Sequence, residues 1–305
     1  MIVIPEARSA QLVNHALAFE AARRALLAAI SAEAASFPVV IGHGSDPQDR
    51  FTVKSAAGPG LAGLKIGAYF PTNDARGLPR HASTILLLDQ DSGRIGAVIE
   101  GSVVNCFRTA AADAVATDAL ARPDAEVLAV IGTGHQAGYE VEAIARVRKL
   151  RKVLVVGRND QRAEAFAAKL RSQGLPAATA APQPALRQAD IVVTVTTSTA
   201  PLFESGWVQP GTHISSMGSD APGKQELPPG LLSHARLFCD LPEQSARIGE
   251  FQHAPSGCTL TALGSVLSNT ARGRTSAQDI TVFDSSGLSL QDLFIGAAIL
   301  QAAGG

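Results

Sequence analysis

The sequence predicts an α/β protein in which a parallel sheet, buried on both faces, follows a smaller and largely antiparallel lobe. Three observations predict it. Residues 127–131, 152–156 and 191–195 are continuous apolar runs of strand length, and helix-forming stretches separate them, as βαβ crossovers require. Residues 51–100 instead hold four short β-prone runs with turn signals between them. Finally, Gly132-Thr133-Gly134 joins the first apolar run directly to a predicted helix. A chain of 305 residues is long enough for two lobes.

In chain order, residues 14–36 are rich in Ala, Leu, Glu and Arg and predict one amphipathic helix. Residues 51–56, 63–69, 83–89 and 95–100 predict strands, punctuated by Gly58-Pro59-Gly60, Asn73-Asp74 and the hairpin loop Asp91-Ser92-Gly93. Residues 107–121 predict a helix, and Arg122-Pro123-Asp124 a turn before the strand at 127–131. A helix through residue 148, a strand at 152–156 and a helix at 161–173 follow, then an alanine-rich stretch, 177–185, read as a loop. Strands are expected again at 191–195, 212–217 and 237–240, and a closing helix at 288–301.

Composition excludes several functions. The formal net charge is −1, so nothing attracts a polyanion, and a nucleic-acid partner is not expected. Cys106, Cys239 and Cys258 stand far apart, without zinc-ligand spacing, so neither a metal site nor a disulfide framework is expected. That cysteine usage fits a reducing cytoplasm. No apolar run approaches the roughly 20 residues of a membrane helix, and the N-terminus lacks the pattern of a signal peptide.

The segment Gly132-Thr133-Gly134-His135-Gln136-Ala137 is a GxGxxA turn between strand and helix, the arrangement of a Rossmann dinucleotide site. Gly132 permits the tight turn, Gly134 lets a diphosphate approach the backbone, and Ala137 allows close helix–strand packing. The helix start then offers unpaired N–H groups and its positive dipole end to the phosphates. The second strand of the unit ends in Gly157-Arg158-Asn159, without the acid that commonly binds the ribose 2′-hydroxyl. A guanidinium there can pair with a 2′-phosphate, and Arg162 stands one turn further on. NADP(H) is therefore expected as the preferred cofactor, with NAD(H) possible; the alternative is that Arg158 stacks on the adenine and both cofactors are accepted.

With those motifs on the page, the chain resembles the ornithine cyclodeaminase/μ-crystallin family. The resemblance is carried by Gly63-Leu64-Lys65, Arg76-Gly77-Leu78-Pro79, Arg108-Thr109-Ala110-Ala111-Ala112 and the GxGxxA turn. It continues through Gly218-Ser219-Asp220-Ala221-Pro222-Gly223-Lys224-Gln225-Glu226-Leu227 and Asp284-Ser285-Ser286-Gly287-Leu288, followed by Gln291-Asp292. It implies a substrate-binding and dimerisation lobe of α+β type, residues 1–112 and 286–305, into which a Rossmann domain, 113–285, is inserted. It also implies a homodimer and chemistry at a small imino or amino acid.

The resemblance assigns roles residue by residue. Lys65 and Asp220 are the expected catalytic groups: an ammonium that pairs with a carboxylate or relays a proton, and an acid/base at the reacting amine. Arg108 is the expected clamp on the substrate carboxylate. Gly287, His81 and Thr84 are expected on the substrate side as well. Thr109 is expected next to the cofactor as well. From the motif itself, Thr133, His135 and Gln136 are expected at the cofactor beside the glycines and Asn159, and Thr196, Thr197 and Met217, at the C-terminal ends of parallel strands, are expected to line the cofactor groove. Two departures stand out. No arginine occurs in Phe37-Pro38-Val39-Val40-Ile41-Gly42-His43-Gly44, where many members carry one for the carboxylate, so Lys65, Arg76 or Arg80 shares that work or the substrate is held differently. His81, beside Ser83 and Thr84, resembles a branch acting on iminosuccinate-like substrates; a hydrogen-bonded structural histidine is the other reading. His213 and His253 read as structural or surface residues.

The expected function is an NAD(P)H-dependent reductase of a small α-imino acid, either a cyclic imine such as pyrroline- or piperideine-2-carboxylate or an iminosuccinate-like one, reversible as an amino-acid dehydrogenase. The alternatives are an ornithine-type cyclodeaminase that recycles its NAD, and a μ-crystallin-like protein that binds NADPH and a small ligand.

Overall fold

The computed structural model describes residues 1–304 and divides them into two compact units: Met1–Arg108 with residues from Leu288 onward, and Thr109–Gly287. The helix α3 (Ser102–Leu120) runs through the first of these boundaries.

The first unit contains β1 (Ile2–Ile4), α1 (Glu6–Leu12), α2 (His15–Ala28), β2 (Ala35–Ser36), β3 (Val40–His43), β4 (Arg50–Gly58), β5 (Leu61–Tyr69), β6 (His81–Leu88) and β7 (Ile95–Glu100). Its sheet has the order β1-β7-β6-β5-β4-β2, with β3 also on β4. All pairs are antiparallel except β1 on β7. The helix expected over 14–36 is shorter. Asn14 caps α2, its side chain accepting from Leu17 N at 3.0 Å, and the helix ends at Ala28.

The last helix, which in chain order is α10 (Ser289–Ala302), belongs to this unit and packs against α2 and the inner face of the sheet. It buries residues all round its circumference. Close approach is possible because Gly296 faces Ile85, where an added Cβ would come within 3.0 Å of the Ile85 side chain. Among the described residues, no helix of this unit covers the other face of the sheet. Val3 and Val40 are each 57% exposed there and Ile66 41%, beside the half-buried Val53, Leu64 and Leu86.

The second unit is a parallel sheet of eight strands: β8 (Val127–Ile131), β9 (Lys152–Val156), β10 (Ala177–Thr179), β11 (Ile191–Thr194), β12 (His213–Ser216), β13 (Arg236–Cys239), β14 (Leu260–Ala262) and β15 (Thr281–Asp284). Their order is β10-β9-β8-β11-β12-β15-β13-β14, so the winding reverses between β8 and β11. Crossovers include α4 (His135–Val147), α5 (Asp160–Ser172) and α6 (Pro182–Gln188). The stretch 177–185, read from sequence as a loop, is instead the edge strand β10 and the start of α6. Three residues cannot announce themselves as a strand; pairing with Val153, Leu154 and Val155 makes them one. This is the α/β fold the sequence predicts, with a Rossmann-type parallel sheet in one unit and an α+β arrangement in the other. Among the described residues no helix is long and apolar enough to cross a membrane.

Candidate active site

The dinucleotide turn leaves the carboxyl end of β8 at the strand-order reversal, where open α/β sheets bind their ligands. Gly132 has φ 127°, and a Cβ there would lie 2.7 Å from the carbonyl oxygen of Val195, so only glycine fits. Gly134 is the N-cap of α4, and a Cβ built on it would meet nothing within 4 Å. Open space therefore stands directly before a thirteen-residue helix whose first N–H groups lack intrahelical partners. Those features fit a diphosphate. His135 is exposed, with its ring 5.3 Å from that of Tyr139, and Gln136 donates to Glu140 at 2.8 Å.

The end of β9 carries a correction of emphasis. A Cβ at Gly157 would come within 3.0 Å of the Thr133 methyl and 3.2 Å of the Ala163 Cβ. Packing beneath the turn already favours glycine, so the missing acid is not by itself a cofactor signal. Asn159 caps α5, accepting from Arg162 N at 2.9 Å. Arg158 and Arg162 are both exposed.

The far wall of that groove is set by a residue the sequence reading passed over. Glu226 is fully buried and accepts from Thr194 Oγ1 (2.7 Å), Thr196 N (2.6 Å), Thr196 Oγ1 (2.8 Å), Ser216 Oγ (3.2 Å) and Gly218 N (2.9 Å). Burial pushes its carboxyl above the ordinary range, and these donors oppose the shift. One side chain thus ties the ends of β11 and β12 together and fixes the loops holding Thr196 and Met217. Met217 is buried and Thr197 exposed. Asp220 lies beyond, exposed, in ion-pair contact with Lys224. Gly287 has φ 84°, and its N–H donates to Asp240 at 2.8 Å. His213 is buried against Thr281 at 2.9 Å, and burial brings its pKa down to about 3, so it is a neutral structural group.

The first unit assembles a charged cluster on the inner face of its sheet. Lys65 projects from β5, is only 4% exposed, and donates to Asp292 Oδ1 at 2.8 Å and to Asn105 Oδ1 at 3.0 Å. Arg108, one turn after Asn105 on α3, donates to the same Asn105 oxygen at 2.8 Å and lies 3.2 Å from Asp292 Oδ1. Asp292, on α10, is 1% exposed, and its Oδ2 has no donor. Burial and then the neighbouring Arg108 bring the Lys65 pKa from the ordinary lysine value to about 7, against the pull of Asp292. Burial opposes ionisation of Asp292, but Lys65 and Arg108 prevail and hold its carboxyl below the usual range. An ammonium poised near neutrality beside a guanidinium can bind a carboxylate and exchange a proton at an adjacent nitrogen.

The register decides which neighbours join this cluster. Lys54 stands directly opposite Lys65, buried on the same face, a cation that sequence reasoning did not single out. Arg80, expected as a candidate substitute for the absent arginine, is instead engaged with Asp74 and Tyr69 on an exposed loop. Ser83 and Ile85 share the Lys65 face, as does His81, whose ring is 4.8 Å from Tyr69. Thr84 does not: it pairs with Ile66 and Glu100 and points to the opposite side of the sheet, because successive strand residues alternate.

Comparison with known proteins places the chain. The profile of the ornithine cyclodeaminase/mu-crystallin family matches residues 8–303. The iminosuccinate reductase of Paracoccus denitrificans is 36% identical over 99% of this chain and 97% of its own length. Its structure in complex with NAD+ superimposes with a TM-score of 0.92, covering 100% of this chain and 96% of that one. A Delta(1)-pyrroline-2-carboxylate reductase of Bacillus cereus is 33% identical over 99% of this chain and 97% of its length. An archaeal alanine dehydrogenase dimer with bound NAD, 29% identical, superimposes with a TM-score of 0.93 over 99% of this chain and 96% of its own. The chain belongs to the ornithine cyclodeaminase/mu-crystallin family.

Proposed function

We propose that this protein is a nicotinamide-dependent oxidoreductase that reduces the C=N bond of a small α-imino acid, reversibly. The observation that carries the reading is the buried Lys65–Arg108–Asp292 cluster in a chain that also has a turn fit for a dinucleotide. The relatives named reductases and dehydrogenases of imino and amino acids support it. Arg108 binds the substrate carboxylate through its free N–H groups. Lys65 gives a proton to the imine nitrogen, raising the electrophilicity of the α-carbon, and takes it back in the oxidative direction. A reduced nicotinamide supplies the hydride when bound. Asp292 keeps both cations oriented and lowers the cost of burying them. Asp220, paired with Lys224, remains a proposed second acid/base. The direct assay is consumption of reduced cofactor with a 2-oxo acid and ammonia, or with a cyclic imino acid; no consumption with either kind of imine would remove the reading.

For the cofactor, the exposed Arg158 and Arg162 support binding of a 2′-phosphate, while the solved relatives carry NAD+ or NADH. We therefore propose a protein that accepts both, with Arg158 favouring NADPH. Arg158→Asp is expected to lower kcat/KM for NADPH roughly 10- to 100-fold, the worth of one charge-assisted hydrogen bond, with that for NADH within about threefold. Equal losses for the two cofactors would place Arg158 away from the 2′-phosphate.

The apolar outer face of the first unit's sheet supports a homodimer, since a surface of the exposed Val3, Val40 and Ile66 with the half-buried Val53 between them is the kind a second copy covers. Ile66→Glu is expected to shift the mass measured by light scattering from two chains to one. A single-chain mass for the unaltered protein would contradict this assembly.

A further inference from the structure

On the inner face of the first unit's sheet, next to the Lys65 cluster, runs a row of small residues that the proposed chemistry does not yet use, with Gly67 as its floor. An added Cβ there would sit 3.3 Å from Thr52 Oγ1, a tight contact, and 3.9 Å from Lys65 Cε, so a side chain at this position is accepted only if Thr52 gives way. Thr52 and Ser83 flank Gly67 in register, from β4 and β6, and the row behind holds Lys54 opposite Lys65. Ser83 is 7% exposed, and its Oγ has no hydrogen-bond partner. A buried hydroxyl without a partner costs stability unless something completes it. The strand does not need that hydroxyl: the bond tying Ser83 to Gly101 N at 2.8 Å runs through the Ser83 carbonyl.

We infer that Ser83 is a specificity-determining residue, whose hydroxyl donates to a distal carboxylate of the substrate lying over Gly67, and that the substrate is an open-chain imino diacid. The inference rests on the imino-acid reductase reading and deepens it. With the α-carboxylate on Arg108 and the imine nitrogen at Lys65, the next substituent extends along the sheet toward Gly67. A ring imine would lay methylenes against Ser83 and leave its hydroxyl uncompleted, whereas a carboxylate accepts from it. Lys54, on the same face, supplies the positive charge that a second carboxylate requires. A pocket that hydrogen-bonds a substrate group discriminates sharply against analogues lacking it.

The test compares the unaltered protein, Ser83→Ala and Gly67→Ala on three substrates with NADH: the imine formed from oxaloacetate and ammonia, the imine formed from pyruvate and ammonia, and a pyrroline-2-carboxylate. The unaltered protein is expected to favour the diacid imine. Ser83→Ala is expected to lower kcat/KM for that substrate roughly 10- to 100-fold, mostly through KM, and to leave the pyruvate imine within about threefold. Gly67→Ala is expected to raise KM for the diacid imine in the same direction by filling the floor. Thermal midpoints and NADH affinity close to those of the unaltered protein certify that both variants are folded. An unaltered protein that prefers the ring imine, or a Ser83→Ala variant with equal losses on all three substrates or none, overturns this inference and leaves the reductase reading standing. No turnover of any of the three by the unaltered protein overturns both.

Discussion

Lys65→Met is expected to lower turnover on any imino acid by about a thousandfold, in the range that loss of a positioned acid–base group and a carboxylate partner together produce. Cofactor affinity, measured by fluorescence of bound NADH, is expected to stay within about twofold, because the turn around Gly132 and Gly134 belongs to the other unit. The titration of the same lysine gives the accompanying pH dependence. Its folded-state pKa is about 7, far below that of a free lysine, because burial and Arg108 disfavour the ammonium. Below that pH it carries the proton the reduction needs; above it the proton is gone. Reductive kcat/KM, corrected for the imine present, is therefore expected to fall as pH rises through about 7, and the oxidative direction to rise through the same pH. A Lys65→Met protein that retains normal turnover would remove the lysine from the reaction. A rate independent of pH between 6 and 9 would remove its proton transfer, about 7 being the midpoint expected.

Asp292→Asn is expected to be the most destabilising single change in the cluster. It removes the acid that touches both Lys65 and Arg108 and leaves the buried Arg108, and Lys65 whenever it is protonated, without that partner. Breaking a buried pair in this way costs roughly 3–5 kcal/mol, which lowers the melting midpoint on the order of 10 °C. The kinetic consequence has a definite sign. Asp292 raises the Lys65 pKa, so its loss lowers that pKa further and moves the pH limb toward acid. Asp292→Glu, which keeps the charge, is expected to restore the limb to its original position even where the longer side chain lowers kcat. A limb that stays in place in Asp292→Asn would show that the carboxylate does not govern the lysine.

The parts of the fold legible in the sequence are those where one short segment carries the whole signal. The apolar runs at β8, β9 and β11 and the glycine turn after β8 need no partner to be read, and the hairpin loop at Asp91-Ser92-Gly93 is closed by Gly93 N–H donating to Asp89 O at 2.9 Å. The edge strand β10 is different: alanines favour helix, and only pairing with β9 makes them a strand. The site divides the same way. Lys65, Arg108 and the dinucleotide turn are recognisable by residue type and motif. Lys54 becomes visible only when strand register puts it opposite Lys65, and the register also sets Ser83, in sequence only a neighbour of His81, opposite Gly67. Thr84 shows the converse, since a step of one residue from Ser83 reverses its face and sends it to the apolar side. Glu226 lies inside a quoted motif, yet its role depends on donors from Thr194, Thr196, Ser216 and Gly218, which no local pattern brings together.

The most direct measurement of the central claim follows an isotope. NADH carrying deuterium at the transferable nicotinamide position is incubated with the protein, a 2-oxo acid and ammonia, and the amino acid formed is analysed by mass spectrometry and NMR. The account predicts one deuterium at the α-carbon of a single enantiomer, and labelled product formed about a thousandfold more slowly with Lys65→Met. Product without deuterium, or ammonia released from ornithine with no added cofactor and no label incorporated, would contradict it.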